Sequence, residues 1–416
     1  MEQIDNTIEN KSLESKPLGV FANWQINTCR KLMFNQLNKV TQVAIEIHEQ
    51  GQVTVLGNKN ADIVGQVKVL DPQTYSHFVK GGSIGAAEAY IEGLWQSPDL
   101  TKLIQAFAKC QNELDQLEKS GNFLTKLKNT WFHARNKNSE SGSKGNILAH
   151  YDLGNELYTR FLDPEMMYSS AIYNENANDL DSAQLNKLET ICQRLELSAD
   201  DHLLEIGTGW GGLAIYAAKN YGCRVTTTTI SDAQYEYAKD RIETLGLGDK
   251  ITLLNRDYRK LNGQFDKLVS IEMIEAVGHQ YFSTFFQQCN QRLKKGGKML
   301  LQAITIADQR YHHYINNVDF IQRYIFPGGC LPSVSVMSQH IATNTNMVIE
   351  QLDDIGLDYA RTLADWRERF HASWHELIDH GFDERFKRLW DYYLCYCEGA
   401  FLERATSTVH LVARKH

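Results

Sequence analysis

No stretch of this 416-residue chain approaches the roughly 20 apolar residues that a membrane-spanning helix needs. Its opening residues, Met1 to Asn10, hold acids and no apolar segment, so no secretory leader is expected. The eight cysteines contain no C-x-x-C pair, and the closest two, Cys395 and Cys397, stand too near each other for a usual zinc knuckle. They read as reduced thiols of a cytoplasmic protein, with no metal site. Positive charge is also scarce: 43 Lys and Arg face 51 Asp and Glu, a net charge of −8. That balance argues against a nucleic-acid partner. It leaves a membrane-surface role open, because local basic patches outweigh the total.

Hydrophobic residues make up 43% and charged residues 23%, as in an ordinary globular protein, and the length suits two domains. Residues 1 to about 22 read as a polar tail. Val43–His48, Gln52–Leu56 and Ile63–Leu70 alternate or are β-branched, and Gly and Asn turns separate them. Helical spacing over Ile84–Trp95 and Leu100–Leu117 completes a small α+β domain, residues 1–118. Residues 119–145 form a basic linker. Lys119, Lys126, Lys128, Arg135, Lys137 and Lys144 face one acid there, Glu140, with Phe123, Leu124, Leu127 and Trp131 at helical spacing. In the remainder, 146–416, strand patterns at His202–Ile206, Arg224–Thr229, Ile251–Asn255, Lys267–Ser270 and Lys298–Ala303 alternate with helices, including Leu213–Asn220, Ala233–Leu245 and Tyr281–Leu293. That alternation predicts an α/β fold with a doubly wound, largely parallel sheet.

The run from Leu203 to Gly212 closes the first of these strands and opens a helix. Its glycines let the backbone approach a ligand and expose N–H groups at a helix N-terminus. Gly207, Gly209 and Gly212 also satisfy the dinucleotide pattern G-x-G-x-x-G, which alone is weak. Three details favour S-adenosylmethionine over NAD. Glu205 lies two residues before the first glycine. The second strand ends Thr226-Thr-Thr-Thr229-Ile230-Ser231, with no acid where NAD enzymes grip the ribose. The third ends Asn255-Arg-Asp257-Tyr258, an acid beside an aromatic that suits an adenine. The competing reading is a glycine-rich turn with no ligand.

Further motifs carry a resemblance. His150-Tyr-Asp-Leu-Gly154-Asn155-Glu156-Leu-Tyr158, Met167-Tyr168-Ser169-Ser170-Ala171, Met273-Ile-Glu275-Ala-Val-Gly278, Tyr324-Ile-Phe-Pro327-Gly-Gly-Cys330, Asp358-Tyr359 and Tyr392 to Phe401 follow one another in order. From about Asn146 onward the chain resembles the cyclopropane-fatty-acyl-phospholipid and mycolic acid cyclopropane synthases, and Gly82–Trp95 resembles their N-terminal segment. The resemblance implies an S-adenosylmethionine-dependent methyltransferase sheet and a lipid- or membrane-associated N-terminal domain. It implies that a one-carbon unit is added to the double bond of an unsaturated phospholipid acyl chain. Cofactor contacts carry over to Tyr168, Ser169, Glu205, Gly207, Gly209, Gly211, Thr229, Ile230, Ser231, Gln234, Asp257 and Tyr258. A bicarbonate ion is implied as the base, cradled by Ser170, Glu275, Gln302, the backbone at Ile304, and Tyr359. Cys397 falls at the family's active-site cysteine, with a buried structural thiol as the alternative. The sequence departs from the family pattern at Ser170, where a cysteine is usual, and at Gln302 and Ala276, where histidines are common. A homodimer stays open, because the sequence does not give the oligomeric state.

An alkene is a weak nucleophile and a sulfonium methyl a strong electrophile, so no protein nucleophile is required. The site must supply a dry apolar tunnel, aromatic faces for the cation, and a base. Tyr311, Tyr314, Phe320, Tyr324, Phe326, Tyr359, Trp366, Phe370 and Phe401 supply aromatic candidates, each with plain core packing as its alternative. The end product stays open among a cyclopropane, an exomethylene or methyl branch, and a furan precursor. A non-catalytic lipid binder and a small-molecule N- or O-methyltransferase are the rivals from other classes.

The acyl double bond lies deep in a bilayer, so a chain of net charge −8 needs a local basic patch to dock. Residues 119–145 hold the densest one. Each basic residue near an anionic surface contributes about 1 kcal/mol, and salt weakens it. Lys126→Glu combined with Lys128→Glu is expected to weaken co-sedimentation with anionic vesicles at low salt without changing cofactor affinity. Equal pelleting of wild type and double variant would move docking elsewhere.

Overall fold

The computed structural model describes residues 20–118 and 154–416. The predicted linker therefore lies outside the described residues, together with its basic patch. No helix among the described residues is long and apolar enough to cross a membrane.

The first described element is a helix, Val20–Leu37, where the sequence suggested a tail up to about residue 22. Its buried stripe is Ile26, Cys29, Met33 and Leu37. A four-stranded sheet follows, β1 (Ala44–Glu49), β2 (Gln52–Gly57), β3 (Val64–Val69) and β4 (Trp95–Gln96), in the order β2-β1-β3-β4. The β1–β2 hairpin turns through Gln50 and Gly51, both at positive φ (50° and 78°). That conformation matches the twist of paired strands. The expected helix Ile84–Trp95 runs instead from Thr74 to Ile91, broken at Gly82. Trp95 leaves it to pair with Val69, its indole N–H donating to the Ala86 carbonyl at 2.9 Å. The expected helix Leu100–Leu117 is two, Leu100–Lys109 and Gln111–Glu118, because the backbone leaves helical geometry at Cys110.

The larger sheet has seven strands: β5 (His202–Ile206), β6 (Arg224–Thr229), β7 (Ile251–Asn255), β8 (Phe265–Ile271), β9 (Leu293–Ile306), β10 (Met347–Asp354) and β11 (Thr406–Lys415). Their order is β10-β11-β9-β8-β5-β6-β7. From β7 to β9 every pairing is parallel. Strand β11 runs antiparallel between β9 and β10, and neither β10 nor β11 was among the expected strands. The central strands β5 and β8 are buried over most of their length, as strands covered on both faces are. From β5 the chain turns first to β6 and β7 and only later to β8 on the other side. A crevice therefore opens at the carboxyl ends of β5 and β8, where ligands bind in such sheets.

The small sheet shares a packed core with helices of the larger unit, while the seven strands pack into two further clusters. The helix Glu384–Leu402 contributes Trp390, Tyr392, Tyr393, Leu394 and Phe401 to a cluster that also holds Ile45, Val67, Leu103 and Ile104 of the N-terminal unit. Polar contacts reinforce it: Tyr90 donates to Asp391 at 2.8 Å and Thr101 to Glu398 at 2.9 Å. At Gly399 the helices are so close that a Cβ would stand 2.9 Å from the Gln105 nitrogen and from Ile104. Gly399→Val is expected to destabilise the chain by roughly 1–3 kcal/mol through forced separation of these helices. Urea unfolding measures it, and an unchanged midpoint would contradict the close packing.

Candidate active site

Four strand ends supply the site. After β5 the backbone takes positive φ at Gly207 (101°), Gly209 (53°) and Gly211 (92°) before the helix Gly212–Asn220 begins. A Cβ at Gly209 would meet nothing within 4 Å, so open space lies over this turn. Between the glycines, Trp210 packs its ring 4.9 Å from Tyr158 and donates its indole N–H to Asn155 at 2.9 Å. The loop is thereby pinned to the helix Asn155–Phe161. Glu205 is buried on β5 and accepts from the Thr227 hydroxyl of β6 at 2.6 Å. Burial pushes its carboxyl up to about 8, against that hydrogen bond.

After β6, Ser231 caps the helix Asp232–Thr244 by accepting from the Gln234 N–H at 3.3 Å. Thr229 donates to the Gln234 side chain at 3.0 Å, which fixes the Thr229-Ile230-Ser231 turn facing the glycine loop. After β7, burial would raise the Asp257 carboxyl, but the hydrogen bonds and charge of Arg259 hold it below its ordinary value. Tyr258 beside it is part-buried, and its hydroxyl has no hydrogen-bond partner.

The residues implied for an anion cradle do converge, and each is already engaged. The Ile304 N–H donates to Glu275 Oε1 at 2.6 Å. The Ser170 N–H (2.9 Å), Gln302 Nε2 (2.8 Å) and Tyr359 hydroxyl (2.8 Å) all donate to the carboxylate of Glu272, the first residue after β8. The Ser170 hydroxyl donates to the Ala171 carbonyl. A bicarbonate ion would thus meet the Glu272 carboxylate and find the Ser170, Gln302, Ile304 and Tyr359 donors of this set already taken. The residues do not fit it.

Glu272 was not among the expected site residues. Burial raises its carboxyl above the ordinary value, although its three donors and the charge of Lys187 act in the opposite direction. Lys187 is fully buried and donates to the Ser169 hydroxyl at 2.7 Å. Burial brings its ammonium down to about 8 despite the nearby Asp163 and Glu272 charges. Glu275 sits in the same field. Burial first, and then Glu272, push its carboxyl up to about 8, and its Oε2 is buried without a hydrogen-bond partner. His410 on β11 stands opposite Gln302 on β9 and contacts its Oε1 at 2.8 Å. Burial, Arg194 and Lys187 keep His410 neutral. Sequence reasoning missed Lys187, Arg194 and His410 too. A signal existed for Glu272 alone, a second acid three residues before Glu275 at the end of an apolar strand.

Aromatic rings close the remaining side. Tyr168 lies 5.3 Å from Trp366 and 6.5 Å from Phe326, and its hydroxyl meets that of Tyr393 at 2.8 Å. Tyr359 lies 4.6 Å from Phe401. Burial, Asp319 and Cys395 hold the Cys397 thiol well above its ordinary range, so it remains protonated at neutral pH. No group of three or more metal-ligating side chains occurs among the described residues.

A glycine turn at the switch point, buried acids that a sulfonium cation would stabilise, and the capped second-strand turn fit S-adenosylmethionine. The fold and site define an S-adenosylmethionine-dependent methyltransferase. The family model described as mycolic acid cyclopropane synthetase matches residues 138–411, and the chain belongs to that family. The cyclopropane-fatty-acyl-phospholipid synthase of Escherichia coli strain K12 is 38% identical over 372 residues, 87% of this chain and 90% of that protein. The tuberculostearic acid methyltransferase UfaA1 of Mycobacterium tuberculosis is 36% identical over 327 residues, 77% of this chain and 76% of that protein. The crystal structure of mycolic acid cyclopropane synthase CmaA1 complexed with SAH and CTAB superposes with a TM-score of 0.61 at 26% identity, covering 65% of this chain and 98% of that one.

Two outcomes check the site. Gly207→Val is expected to weaken S-adenosylmethionine binding by roughly 100-fold or more, about 3 kcal/mol, because a branched residue resists φ near 101°. Calorimetry beside an unchanged circular dichroism spectrum measures it. The second concerns pH. Glu205 ionises near 4.5 in the unfolded chain and near 8 when folded. Between those values the folded chain holds the extra proton, so stability falls as pH rises, by an amount on the order of a few kcal/mol. Urea midpoints at pH 5 and pH 8 should show a smaller fall in Glu205→Gln than in wild type, and an equal fall would contradict the buried acid.

Proposed function

We propose that the protein adds a one-carbon unit to the double bond of unsaturated phospholipid acyl chains and that the ring closes to a cyclopropane. The observation that carries this reading is the composition of the site. Carboxylates lie beside packed aromatic rings, no activated nucleophile is present among the described residues, and the nearest thiol is protonated. Methylation of an amine or hydroxyl needs no such lining, whereas a hydrocarbon cation does.

Bound S-adenosylmethionine would supply an electrophilic methyl on a sulfonium. The chain's own residues do the rest. Its glycine turn and the Ser231 cap hold the cofactor's place. Tyr168, Trp366 and Phe401 exclude water and offer π faces to positive charge. A carboxylate removes the proton. The bicarbonate of the resemblance has no part in this scheme, since its donors are taken. The relatives named for cyclopropane and tuberculostearic acid chemistry support an acyl acceptor and leave the fate of the cation between ring closure and a methylene branch. The protein would meet its substrate as a peripheral protein at the cytoplasmic face of the membrane, through the basic segment 119–145 or the N-terminal unit.

Lipids from bacterial cells that make this protein are expected to gain one CH2 in their monounsaturated chains. Mass spectrometry before and after mild catalytic hydrogenation separates the products. A ring survives and an exomethylene group takes up hydrogen. No gain of CH2 in any unsaturated lipid would refute the reading.

A further inference from the structure

We infer that the carboxylate of Glu272 is the general base of this enzyme, built into the chain where relatives are expected to bind an anion. The inference rests on the proposed methylation of an alkene. Four observations carry it.

First, the donors converge. The Ser170 N–H, the Gln302 amide and the Tyr359 hydroxyl, three groups from separate parts of the chain, end on the two oxygens of one carboxylate at 2.8–2.9 Å. Two of the three can only donate, so they hold the ionised form.

Second, the direction of the Gln302 amide is fixed from behind. Arg194 has only donors and contacts His410 Nδ1, which must therefore accept. A neutral His410 then carries its proton on Nε2 and donates to Gln302 Oε1. The Gln302 NH2 is left to face Glu272 and the Ser170 carbonyl. Reversing the amide would break all three of the Gln302 bonds.

Third, Glu272 is less enclosed as a residue than two of its donors. Ser170 and Gln302 are wholly buried, whereas Glu272 retains partial exposure. Glu275 is the other acid of the site, but it has one donor, the Ile304 N–H, and burial and the Glu272 charge push its carboxyl up to about 8, so at neutral pH it holds its proton and accepts none.

Fourth, Glu272 borders the cofactor loop. A Cβ on Gly207 would meet Met273, the next residue, at 3.2 Å. Glu272 itself has φ of +45°, a backbone conformation that L side chains rarely adopt and glycine adopts freely. A carboxylate is kept there against that preference.

The reaction balances without a further reagent. The alkene π pair forms the new C–C bond, and the methyl–sulfur pair stays on sulfur. The cation left on the adjacent carbon acidifies the new methyl. Glu272 takes one of its protons, the C–H pair closes the second C–C bond, and the carboxyl loses its proton to solvent as the product leaves.

The test uses the full chain with vesicles of an unsaturated phosphatidylglycerol. Wild-type turnover should be the same in carbon-dioxide-free buffer and with added bicarbonate. Glu272→Gln should lose roughly 100-fold or more, the usual contribution of a general base. Glu272→Gly suits the local φ and opens the cradle. It should lose activity to the same extent and recover it with bicarbonate or formate, which a merely structural role would not allow. A readout independent of turnover is the NMR line width of carbon-13-labelled bicarbonate. It should broaden with Glu272→Gly and stay sharp with wild type. Wild-type activity that needs bicarbonate, broadening by wild type, or near-full activity of Glu272→Gln would overturn the inference. Should wild type act on no unsaturated lipid, the proposed function fails and this inference with it, whereas near-full activity of Glu272→Gln on a lipid that wild type converts overturns this inference alone.

Discussion

A carboxylate held by three donors in a largely dry site is the constraint on which the rest of the structure depends. An ion at that depth survives only if its oxygens are hydrogen-bonded. Meeting that demand draws in distant parts of the chain. The Ser170 N–H comes from the segment before β5, Gln302 from β9, Tyr359 from the helix Gly356–Ala372, and His410 from the C-terminal strand β11. The antiparallel insertion of β11 beside β9 thus has a chemical consequence. It puts His410 in register with Gln302 and so aims an amide at Glu272.

The same economy of charge explains the aromatic lining. With the Glu272 carboxylate near the cofactor loop, and Glu205 and Glu275 as buried acids that a neighbouring cation would help ionise, the site favours a positive ligand and a positive intermediate. Rings such as Tyr168 and Trp366 tolerate that charge without reacting with it. The N-terminal unit braces this wall from outside, through the helix Glu384–Leu402 whose inner face carries Tyr393 and Phe401.

Much of this was legible in the sequence. The strand–helix alternation gave the parallel part of the sheet, and the glycine run gave its switch point, because both depend on local patterns. Gln302, Tyr359, Ser170 and Glu275 were found through motifs. What they hold was not, since hydrogen-bond partners depend on register between segments more than 100 residues apart, as with Ser170 and Gln302. Strand β11 escaped notice because nothing in Thr406–Lys415 announces that it inserts antiparallel between two other strands. Glu272 escaped because an acid at a strand end looks like an ordinary solvated residue until its donors are seen. The Val20–Leu37 helix escaped because its stripe of Ile26, Cys29, Met33 and Leu37 is interrupted by the exposed Phe21, Trp24 and Leu32.

The functional account therefore narrows to the ionisation of one side chain. If Glu272 is an acceptor for three donors, it is a carboxylate at neutral pH. Infrared difference spectra of wild type minus Glu272→Gln at pH 7.5 test this directly. The account predicts that the difference contains the antisymmetric stretch of an ionised carboxylate. A protonated carboxyl C=O band in its place would contradict it.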